Sequence, residues 1–343
     1  MKNIKVSDVT YLKLKKRKNE DNCAEETFDK WLNKHFGDIR LHDTDGDSIS
    51  KYTVQHLDPL WMGNLARNLP FILKDGKSIK QLVDTEKDKA SVIVGAGPSI
   101  YKHKHIEMLK ESNFKGIVCS SDKMLIPLLK NDVIPNYVIS IDAHSQLIPA
   151  FYKHPLVKKN ADKIKVVIGT FVSPNLTKLL RKLGLDTYWF SATGERRMIL
   201  LTVSEHNPNG LLSLRSTGNT GALSWVFSWS ILKCNPTCWI GMDMGYPEGT
   251  NLEDTPYYSG ILNTPDKTVS ALAASPKYEV IYNPAFKCYA KVDPVFKGYR
   301  TELLRAIEND LPSDIIVYNC TEGGTLFGKK IKCVPFKEFL RLV

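Results

Sequence analysis

Short apolar runs alternate with amphipathic segments along most of the chain from residue 88 onward, and this pattern predicts alternating strands and helices. The predicted strands are 90–94, 116–121, 137–141, 164–169, 186–190, 237–241 and 314–318. The predicted helices are 99–112, 122–130, 220–233, 294–309 and 335–342, with one more that begins at Pro174 after an N-cap at Ser173. The strands are continuously apolar, which is typical of parallel strands covered on both faces. The pattern therefore predicts a doubly wound, mostly parallel α/β fold.

Two stretches of the chain lack this alternation of predicted strands and helices. Residues 1–63 contain a basic cluster at 13–18, followed by apolar residues at helical spacing over 28–36. We interpret this part as an N-terminal helical appendage that carries one amphipathic helix and precedes a body of residues 64–343. Residues 245–290 are rich in glycine, proline and hydroxyl side chains, and we expect them to form loops.

Composition narrows the class of protein. The chain has 343 residues, of which 43% are hydrophobic and 24% charged, so disordered, collagen-like and coiled-coil chains are excluded. The longest charge-free run, 216–232, contains two glycines and falls short of the roughly 20 apolar residues of a membrane span. No secretory signal follows Met1, and scattered cysteines are typical of reduced thiols. We therefore expect a cytoplasmic protein without a transmembrane segment.

Charge points to an anionic partner. Forty-seven basic residues outnumber 37 acidic ones, which gives a formal net charge of +10. Residues 153–182 contain eight lysines and arginines and a single acid, Asp162. Such a face attracts nucleic acid, acidic lipid or a phosphorylated small molecule, although it is also compatible with a plain solvated surface. No basic motif with interleaved aromatic residues supports nucleic-acid binding.

Ligands of doubly wound sheets bind beyond the carboxyl ends of the strands, so candidate site residues were sought there. Those positions carry small residues, hydroxyls, amides and carboxylates. They are Gly95, Ala96, Gly97, Pro98, Ser99, Ser121, Asp122, Asp142, His144, Gly218, Asn219, Thr220, Asp243, Tyr246, Glu322 and Gly323. Together they predict a polar crevice along one edge of the sheet.

The turn 95–99 joins a strand to a helix. Its two glycines let a ligand approach the backbone, and helix N-termini attract phosphate, so the turn is a candidate nucleotide-binding loop. A plain structural turn could use the same residues. Ile100 stands where a dinucleotide fingerprint requires its third glycine, but Asp122 lies near the distance of a ribose-binding acid, so a dehydrogenase stays open. The turn contains no lysine, which excludes a Walker A loop.

Asp142 and Asp243 each close an apolar strand. A carboxylate there can hold a divalent cation such as Mg²⁺, act as a general base, bind a ribose hydroxyl, or simply cap a helix. Because loop follows Asp243, we favour a functional role for it, whereas helix capping is favoured for Asp122. His144 is either an acid–base group or a loop histidine.

A second helix start rich in glycine and hydroxyls lies at 216–221 and provides another possible anion cradle through Gly218, Asn219 and Thr220. We expect Trp225 and Trp229, on one face of the helix that follows, to lie in the core. Tyr246 and the Glu322–Gly323 pair are candidates for the crevice rim, or for ordinary turns.

Five stretches carry a resemblance to a known family. They are 92–99, 121–142, 217–220, 234–246 and 319–324. In this order, the chain from about Asn64 to the C-terminus resembles the family that joins archaeal 6-hydroxymethylpterin diphosphokinase, the MptE-like proteins, to the central domain of Maf flagellin glycosyltransferases. The resemblance covers about four fifths of the chain.

The resemblance implies a transferase with a Rossmann-like, sialyltransferase-like core and a nucleotide-bearing donor. The Maf branch implies transfer of a nonulosonic acid from a CMP-sugar to protein hydroxyls. The diphosphokinase branch implies transfer of pyrophosphate from ATP to a pterin alcohol with magnesium. The segment ending in Ser140-Ile-Asp142 and the Glu322-Gly-Gly segment are closer to Maf. At Ser121-Asp122 the diphosphokinases more often show an Asp-Gly pair.

A glycosyltransferase with a CMP-type donor is therefore the leading hypothesis. Gly95, Gly97 and Ser99 would cradle the donor phosphate, and Asn219 and Thr220 would contact the donor. Asp142 and Asp243 would orient hydroxyls or, in a magnesium-dependent reaction, hold the cation. The acceptor would be a glycan, a protein or a pterin. The alternatives are a magnesium-dependent diphosphokinase and a non-enzymatic, basic nucleic-acid-binding protein.

Overall fold

The computed structural model describes residues 48–144, 148–192, 211–215, 218–251, 254–255 and 278–343. The predicted amphipathic helix over 28–36 and its basic cluster lie outside these residues. The helices are α1 (Ser48–Asp75), α2 (Ser99–Lys102), α3 (His105–Glu111), α4 (Asp122–Lys130), α5 (Ile148–Tyr152), α6 (Pro155–Lys159), α7 (Pro174–Leu183), α8 (Thr220–Ser230), α9 (Pro294–Asn309) and α10 (Phe336–Leu342). The strands are β1 (Lys77–Ser78), β2 (Ser91–Val94), β3 (Ile117–Ser121), β4 (Tyr137–Ser140), β5 (Lys165–Gly169), β6 (Asp186–Ala192), β7 (Ser213–Leu214), β8 (Thr237–Ile240), β9 (Tyr246–Pro247), β10 (Glu279–Asn283), β11 (Cys288–Val292), β12 (Val317–Asn319) and β13 (Ile331–Cys333).

The central sheet confirms the predicted fold class. Ten strands lie in the order β1-β6-β5-β4-β3-β2-β8-β12-β13, with β7 paired to β6. All pairs within this sheet are parallel. Every strand predicted from the apolar runs is present, and the last one is displaced to β12. The strands β1, β7 and β13 were not predicted, because two or three residues are too few to show a period.

The strand order reverses between β2 and β8. From β2 the chain winds outward through β3 to β6, and it later returns to lay down β8 and β12 on the other side. Val94 at the end of β2 pairs with Ser120 of β3 and with Ile240 of β8. The turns that follow these strands therefore leave the sheet side by side, which is the arrangement that opens a crevice in doubly wound proteins.

Helices cover both faces of the sheet. Ile93 of β2 packs in the cluster that contains α8, whereas its neighbours Val92 and Val94 pack with α3 and α10 on the opposite face. Helix α8 is buried along almost its whole length, and Trp225 is fully buried there, with its indole N–H donating to Thr237 Oγ1 at 3.0 Å. A fully buried large side chain contributes about 1.5–3 kcal/mol to stability, so α8 anchors the fold.

The prediction that residues 245–290 form loops is partly wrong. Strands β9, β10 and β11 form a separate antiparallel sheet in the order β10-β11-β9. Val280 and Tyr282 of β10 are 57% and 46% exposed. The run Val280-Ile281-Tyr282 consists of β-branched and aromatic residues and was the available strand signal.

Helix α1 runs across the boundary predicted at residues 63–64, and that boundary stays a prediction. Two buried asparagines tie α1 to the carboxyl ends of β4 and β5. Asn64 Nδ2 donates to the carbonyls of Ala143 and Phe171 at 2.9 and 3.0 Å. Asn68 Nδ2 donates to those of Thr170 and Val172 at 3.0 and 2.8 Å. These bonds satisfy strand-end carbonyls that would otherwise be buried without a partner. Across the described residues, no helix is long and apolar enough to cross a membrane.

Candidate functional site

The turn after β2 packs directly against the turn after β8. The N–H groups of Gly95 and Gly97 donate to the carbonyls of Ile240 and Gly241 at 2.9 and 2.8 Å. A Cβ on Gly97 would overlap the carboxylate of Asp243, and one on Gly95 would overlap the Gly241 carbonyl. The two glycines are therefore required by this close approach, whatever else the turn binds.

The packing limits how the turn could hold a phosphate. The Gly95 and Gly97 N–H groups already have partners, Pro98 has no N–H, and the Ser99 N–H lies 3.4 Å from Asp243 Oδ2. The N–H of Ala96 has no hydrogen-bond partner within the described residues. A phosphate at this turn would use the Ala96 N–H or replace Asp243 at Ser99. The nucleotide-binding role predicted for 95–99 stays a prediction.

Asp243 is the central acid of this crevice. It is 7% exposed, and its Oδ2 accepts a hydrogen bond from Ser99 Oγ at 2.7 Å. Burial raises the pKa of Asp243 to about 6, against the opposing effect of the Ser99 hydrogen bonds and the positive charge of Lys102. A carboxyl with this pKa exchanges its proton near neutral pH.

Three residues beside Asp243 were missed by the sequence reasoning. Lys102 follows Ser99 by three residues and thus shares its face of α2, a spacing that could have revealed it. Cys288 of β11 lies within the electrostatic reach of Asp243 and Lys102, and burial raises the pKa of its thiol. The Thr325 N–H donates to the Asp243 carbonyl at 2.9 Å. No sequence signal indicated the last two, because Cys288 lies in the region predicted to be loop and Thr325 lies in the connection between β12 and β13.

The start of α8 joins the same crevice. Asn219 caps the helix through Oδ1, which accepts from the Ala222 N–H at 3.0 Å, while its Nδ2 lies 3.4 Å from Met244 Sδ. Gly218 has φ +91° and packs on the ring of Tyr299, so a side chain there would be strained and obstructed. Thr220 is half-buried as the first residue of α8. The predicted residues 218–220 are therefore brought beside the turn that carries Asp243.

A second cluster lies at the carboxyl ends of β3 and β4. Asp122 is buried, and its Oδ2 accepts from Ser140 Oγ at 2.5 Å while Oδ1 accepts from the Lys123 N–H at 2.8 Å. Burial raises the pKa of Asp122 to about 6, and the negative charge of Asp142 adds to the effect. Ser121 holds the N-cap position of α4, yet its hydroxyl has no partner among the described residues. Asp122 therefore stabilises the helix start from its first turn.

Asp142 and His144 meet in the loop after β4. Asp142 Oδ1 accepts from the His144 N–H at 2.7 Å and lies 3.3 Å from His144 Nδ1. Their side chains are 36% and 50% exposed, in contrast to the buried Asp122. The two residues that the sequence placed two positions apart thus act as one local unit.

Tyr246 holds the small antiparallel sheet to α9. Its hydroxyl donates to Asp293 Oδ2 at 2.6 Å, and Asp293 Oδ1 caps α9 by accepting from the Phe296 N–H at 2.7 Å. The phenol ring also packs edge-on against Phe296, with ring centroids 5.3 Å apart. Tyr246 thereby fixes one wall next to the β8 turn.

Glu322 anchors helices at the other side of that turn. Its Oε1 accepts from the Phe336 N–H at 3.1 Å at the start of α10 and lies 3.2 Å from His105 Nε2. Burial lowers the pKa of His105, although Glu322 works in the opposite direction. A side chain added at Gly323 would meet no atom within 4 Å, so that position is open. The contacts of Glu322 with Phe336 and His105 give it a structural role in positioning these helices. Its role at a crevice rim stays a prediction.

The predicted residues therefore fall into two groups on one edge of the sheet. One group surrounds Asp243 between β2 and β8, and the other surrounds Asp122 and Asp142 at β3 and β4. Asp142 and Asp243 leave strands that are three steps apart, about 14 Å at the usual strand spacing. One Mg²⁺ ion cannot be held by both, because its ligands lie at about 2.1 Å. Each aspartate fits a cation only singly, beside waters and substrate phosphates.

The parallel sheet, with its strand order reversed between β2 and β8, defines a doubly wound α/β protein of the Rossmann type. The sequence profile described as 6-hydroxymethylpterin diphosphokinase MptE-like matches residues 63–249, more than half of the chain. The chain therefore belongs to the MptE-like family, and the resemblance found in its sequence is confirmed.

A solved structure shares the fold. The Maf glycosyltransferase from Magnetospirillum magneticum AMB-1 superimposes with a TM-score of 0.55 at 17% sequence identity, over 85% of this chain and 43% of that one. The present chain thus spans less than half the length of that glycosyltransferase. No curated protein sequence matches the chain. The family description and the structural neighbour both name transferases, a diphosphokinase in one case and a glycosyltransferase in the other.

Proposed function

We propose that the protein is a nucleotide-dependent transferase, and specifically a glycosyltransferase that uses a CMP-activated sugar. The observation that carries this proposal is the buried Asp243 carboxyl, paired with Ser99 at the point where the strand order reverses. Ligands of doubly wound sheets bind there, and a carboxyl with a pKa of about 6 suits proton transfer near neutral pH. The fold shared with the Maf glycosyltransferase is consistent with the proposal.

In the proposed reaction, Asp243 accepts the proton of the acceptor hydroxyl. The acceptor oxygen then bonds to the anomeric carbon of the sugar as the bond from that carbon to the phosphate oxygen breaks. The bonding electrons leave with CMP, whose phosphate would lie near the Ala96 N–H and the start of α8. Lys102 adds positive charge close to Asp243, which favours an anionic leaving group in this crevice.

A diphosphokinase needs a cation that bridges ATP phosphates, and a single carboxylate beside waters and substrate phosphates can hold such a cation. The separation of Asp142 from Asp243 therefore does not distinguish pyrophosphate transfer from glycosyl transfer. The diphosphokinase remains the second candidate because the family description names that activity. It predicts AMP release from ATP with strict magnesium dependence.

We also place the protein in the cytoplasm, since the six cysteines of the described residues are all free thiols.

A thermal-shift titration separates the candidates. The purified chain is titrated with CMP, CDP, UDP, ATP and AMP, with and without magnesium. A ligand at a hundred times its Kd stabilises the native state by about 2.7 kcal/mol. Selective stabilisation by CMP would support the glycosyltransferase, and magnesium-dependent stabilisation by ATP would replace it with the diphosphokinase. No shift with any nucleotide would overturn both and leave a nucleic-acid-binding protein, to be tested by salt-dependent binding to RNA and DNA.

A further inference from the structure

A cavity of about 380 Å³ lies apart from the Asp243 crevice, at the carboxyl ends of β4 and β5. Helix α1 forms one wall and the first turns of α7 form another. The lining residues are Leu60, Asn64, Arg67, Ala143, His144, Ser173, Pro174, Asn175 and Lys178. Lys178 belongs to the basic stretch 153–182, whereas no sequence motif drew attention to Arg67. The two residues lie 111 positions apart in the chain, and only the fold brings both to this cavity.

The charge of this cavity is one-sided. Arg67, Lys178 and, when protonated, His144 carry positive charge, and no acidic side chain is among the described residues that line it. The Asp142 carboxylate lies outside this lining, 3.3 Å from His144 Nδ1. Within the described ranges, neither Arg67 nor Lys178 forms an ion pair with a carboxylate. Unpaired cations that converge from separate elements on a concave surface create a positive field that attracts anions.

The cavity also has a fixed framework. Asn64 is 2% exposed and holds α1 to the strand ends through its bonds to Ala143 and Phe171. Ser173 caps α7 by accepting from the Asn175 N–H at 3.3 Å, and its own N–H donates to the Asp142 carbonyl at 3.2 Å. Because Ser173 already occupies the first N–H groups of α7, the helix offers only its dipole. The cationic side chains would supply the direct contacts.

His144 is oriented for such a contact. Asp142 lies 3.3 Å from Nδ1, so Nε2 is the ring nitrogen that remains for a ligand. Nε2 donates to an anion only when the ring is protonated on both nitrogens, because a neutral ring that donates Nδ1–H to Asp142 leaves Nε2 as an acceptor. A carboxylate on one ring nitrogen commonly fixes the orientation of the other. Asp142 would thus position His144 in this cavity and contribute nothing to the crevice around Asp243.

We propose that this cavity is a second anion-binding site, which takes the carboxylate or phosphate group of a small molecule through Arg67, Lys178 and His144. The cavity opens beside β4, two strands away from β2, or about 10 Å along the same edge of the sheet. Donor and acceptor could therefore bind side by side. The assignment of this anion to an acidic acceptor rests on the proposed function, whereas the site itself does not.

The test compares two double variants of equal charge. The first, R67Q/K178Q, removes both cations of the cavity. The second, K158Q/K182Q, removes two exposed lysines of the same basic face that do not line it. Binding of pyrophosphate and of a six-carbon uronic acid is measured by calorimetry at constant ionic strength, with CMP titrated separately. We expect R67Q/K178Q to bind the preferred probe about tenfold or more weakly, and K158Q/K182Q to match the parent chain.

The outcomes are distinguishable. Equal weakening in both double variants would attribute binding to the general surface field and overturn the site. The site would also be overturned if the parent chain bound neither probe at concentrations up to about 10 mM. Displacement of a bound probe by CMP would overturn the site as well. The tighter of the two probes identifies phosphate or carboxylate as the ligand class. A chain that binds the probe in this cavity but no nucleotide would retain the site and lose the proposed function.

Discussion

Two buried aspartates, Asp243 and Asp122, occupy equivalent places in the fold yet have different surroundings. Each follows a parallel strand, accepts a hydrogen bond from a serine hydroxyl, and has a pKa that burial raises to about 6. Asp243 lies where the strand order reverses, with the positive charge of Lys102 nearby. Asp122 lies beside the negative charge of Asp142. Burial therefore sets the pKa of both carboxyls, whereas their positions in the sheet determine which charged neighbour a ligand would contact, Lys102 beside Asp243 or Asp142 beside Asp122.

The largest expected effect is on catalysis. D243N should reduce transfer about 10²–10⁴-fold, the usual contribution of a general base, because an amide cannot take the proton. D122N should reduce it less than about tenfold, since Asp122 lies outside the proposed reacting crevice. Release of CMP from a CMP-sugar donor measures both.

The exposed D314N variant is the control for D243N and D122N, and its activity should equal that of the parent chain. Equal losses in D243N and D122N would remove the distinction drawn between the two aspartates. Near pH 4, where both buried carboxyls are protonated in the native state, the melting temperatures of all three variants should stay near the parent value, because Asn fits the same space as a protonated Asp.

Both aspartates should make stability depend on pH with the same sign. Their folded pKa of about 6 exceeds the unfolded value near 3.9, so the native state binds more protons between these values. The stabilising contribution is complete below about pH 4 and is lost as pH rises through about 6. It amounts to about 3 kcal/mol for each carboxyl.

Denaturant unfolding at pH 4 to 7 measures this dependence in the parent chain, D243N and D122N. In each single variant, the decrease in the free energy of unfolding that these carboxyls cause between pH 4 and pH 7 should be about half that of the parent chain, because one of the two carboxyls has been removed. A parent slope that neither substitution changes would contradict the raised pKa of both groups.

The close packing at Asp243 should appear in the stability of G97A. The added Cβ would overlap the Asp243 carboxylate, and such overpacking typically costs about 1–3 kcal/mol. G323A is the matched control, because a Cβ there meets no atom within 4 Å. Urea unfolding that shows the same midpoint for G97A and the parent chain would mean that the β2 and β8 turns are more separated than described.

The smallest expected effects are changes in the pKa values of Asp122 and Asp243 when their serine partners are replaced. S140A removes the serine hydrogen bond of Asp122, and S99A removes the hydroxyl bond of Asp243 but keeps the backbone N–H contact at 3.4 Å. Loss of a bond to the charged form raises a carboxyl pKa, by about one unit for a bond worth about 1.5 kcal/mol. Carbon NMR titration of the side-chain carboxyls measures the shift. A downward shift in either variant would contradict the hydrogen-bond assignment.

Local motifs carried much of the candidate site. The pairing of Asp142 with His144 and the cap at Asn219 depend on residues that are close in sequence. The turn 95–99 is also visible in the sequence, but its glycines are required by Gly241 and Asp243, far along the chain. The antiparallel sheet of β9, β10 and β11 was missed, because its short strands lie in a region dominated by loop signals, although the run Val280-Ile281-Tyr282 was a strand signal. Lys102 could have been read from its spacing to Ser99, whereas Cys288 and Thr325 carried no signal.

The sequence by itself determined the class of fold and the family, because apolar runs report burial on both faces and the motifs stand in a characteristic order. Only the tertiary structure decided which strands are neighbours. Ser99 and Asp243 lie 144 residues apart, and their contact exists because β2 pairs with β8. Arg67 and Lys178 line one cavity because the fold packs α1 against α7. Hydrophobic periodicity records that a strand is buried but not which strand it pairs with, since backbone hydrogen bonds are the same for every partner.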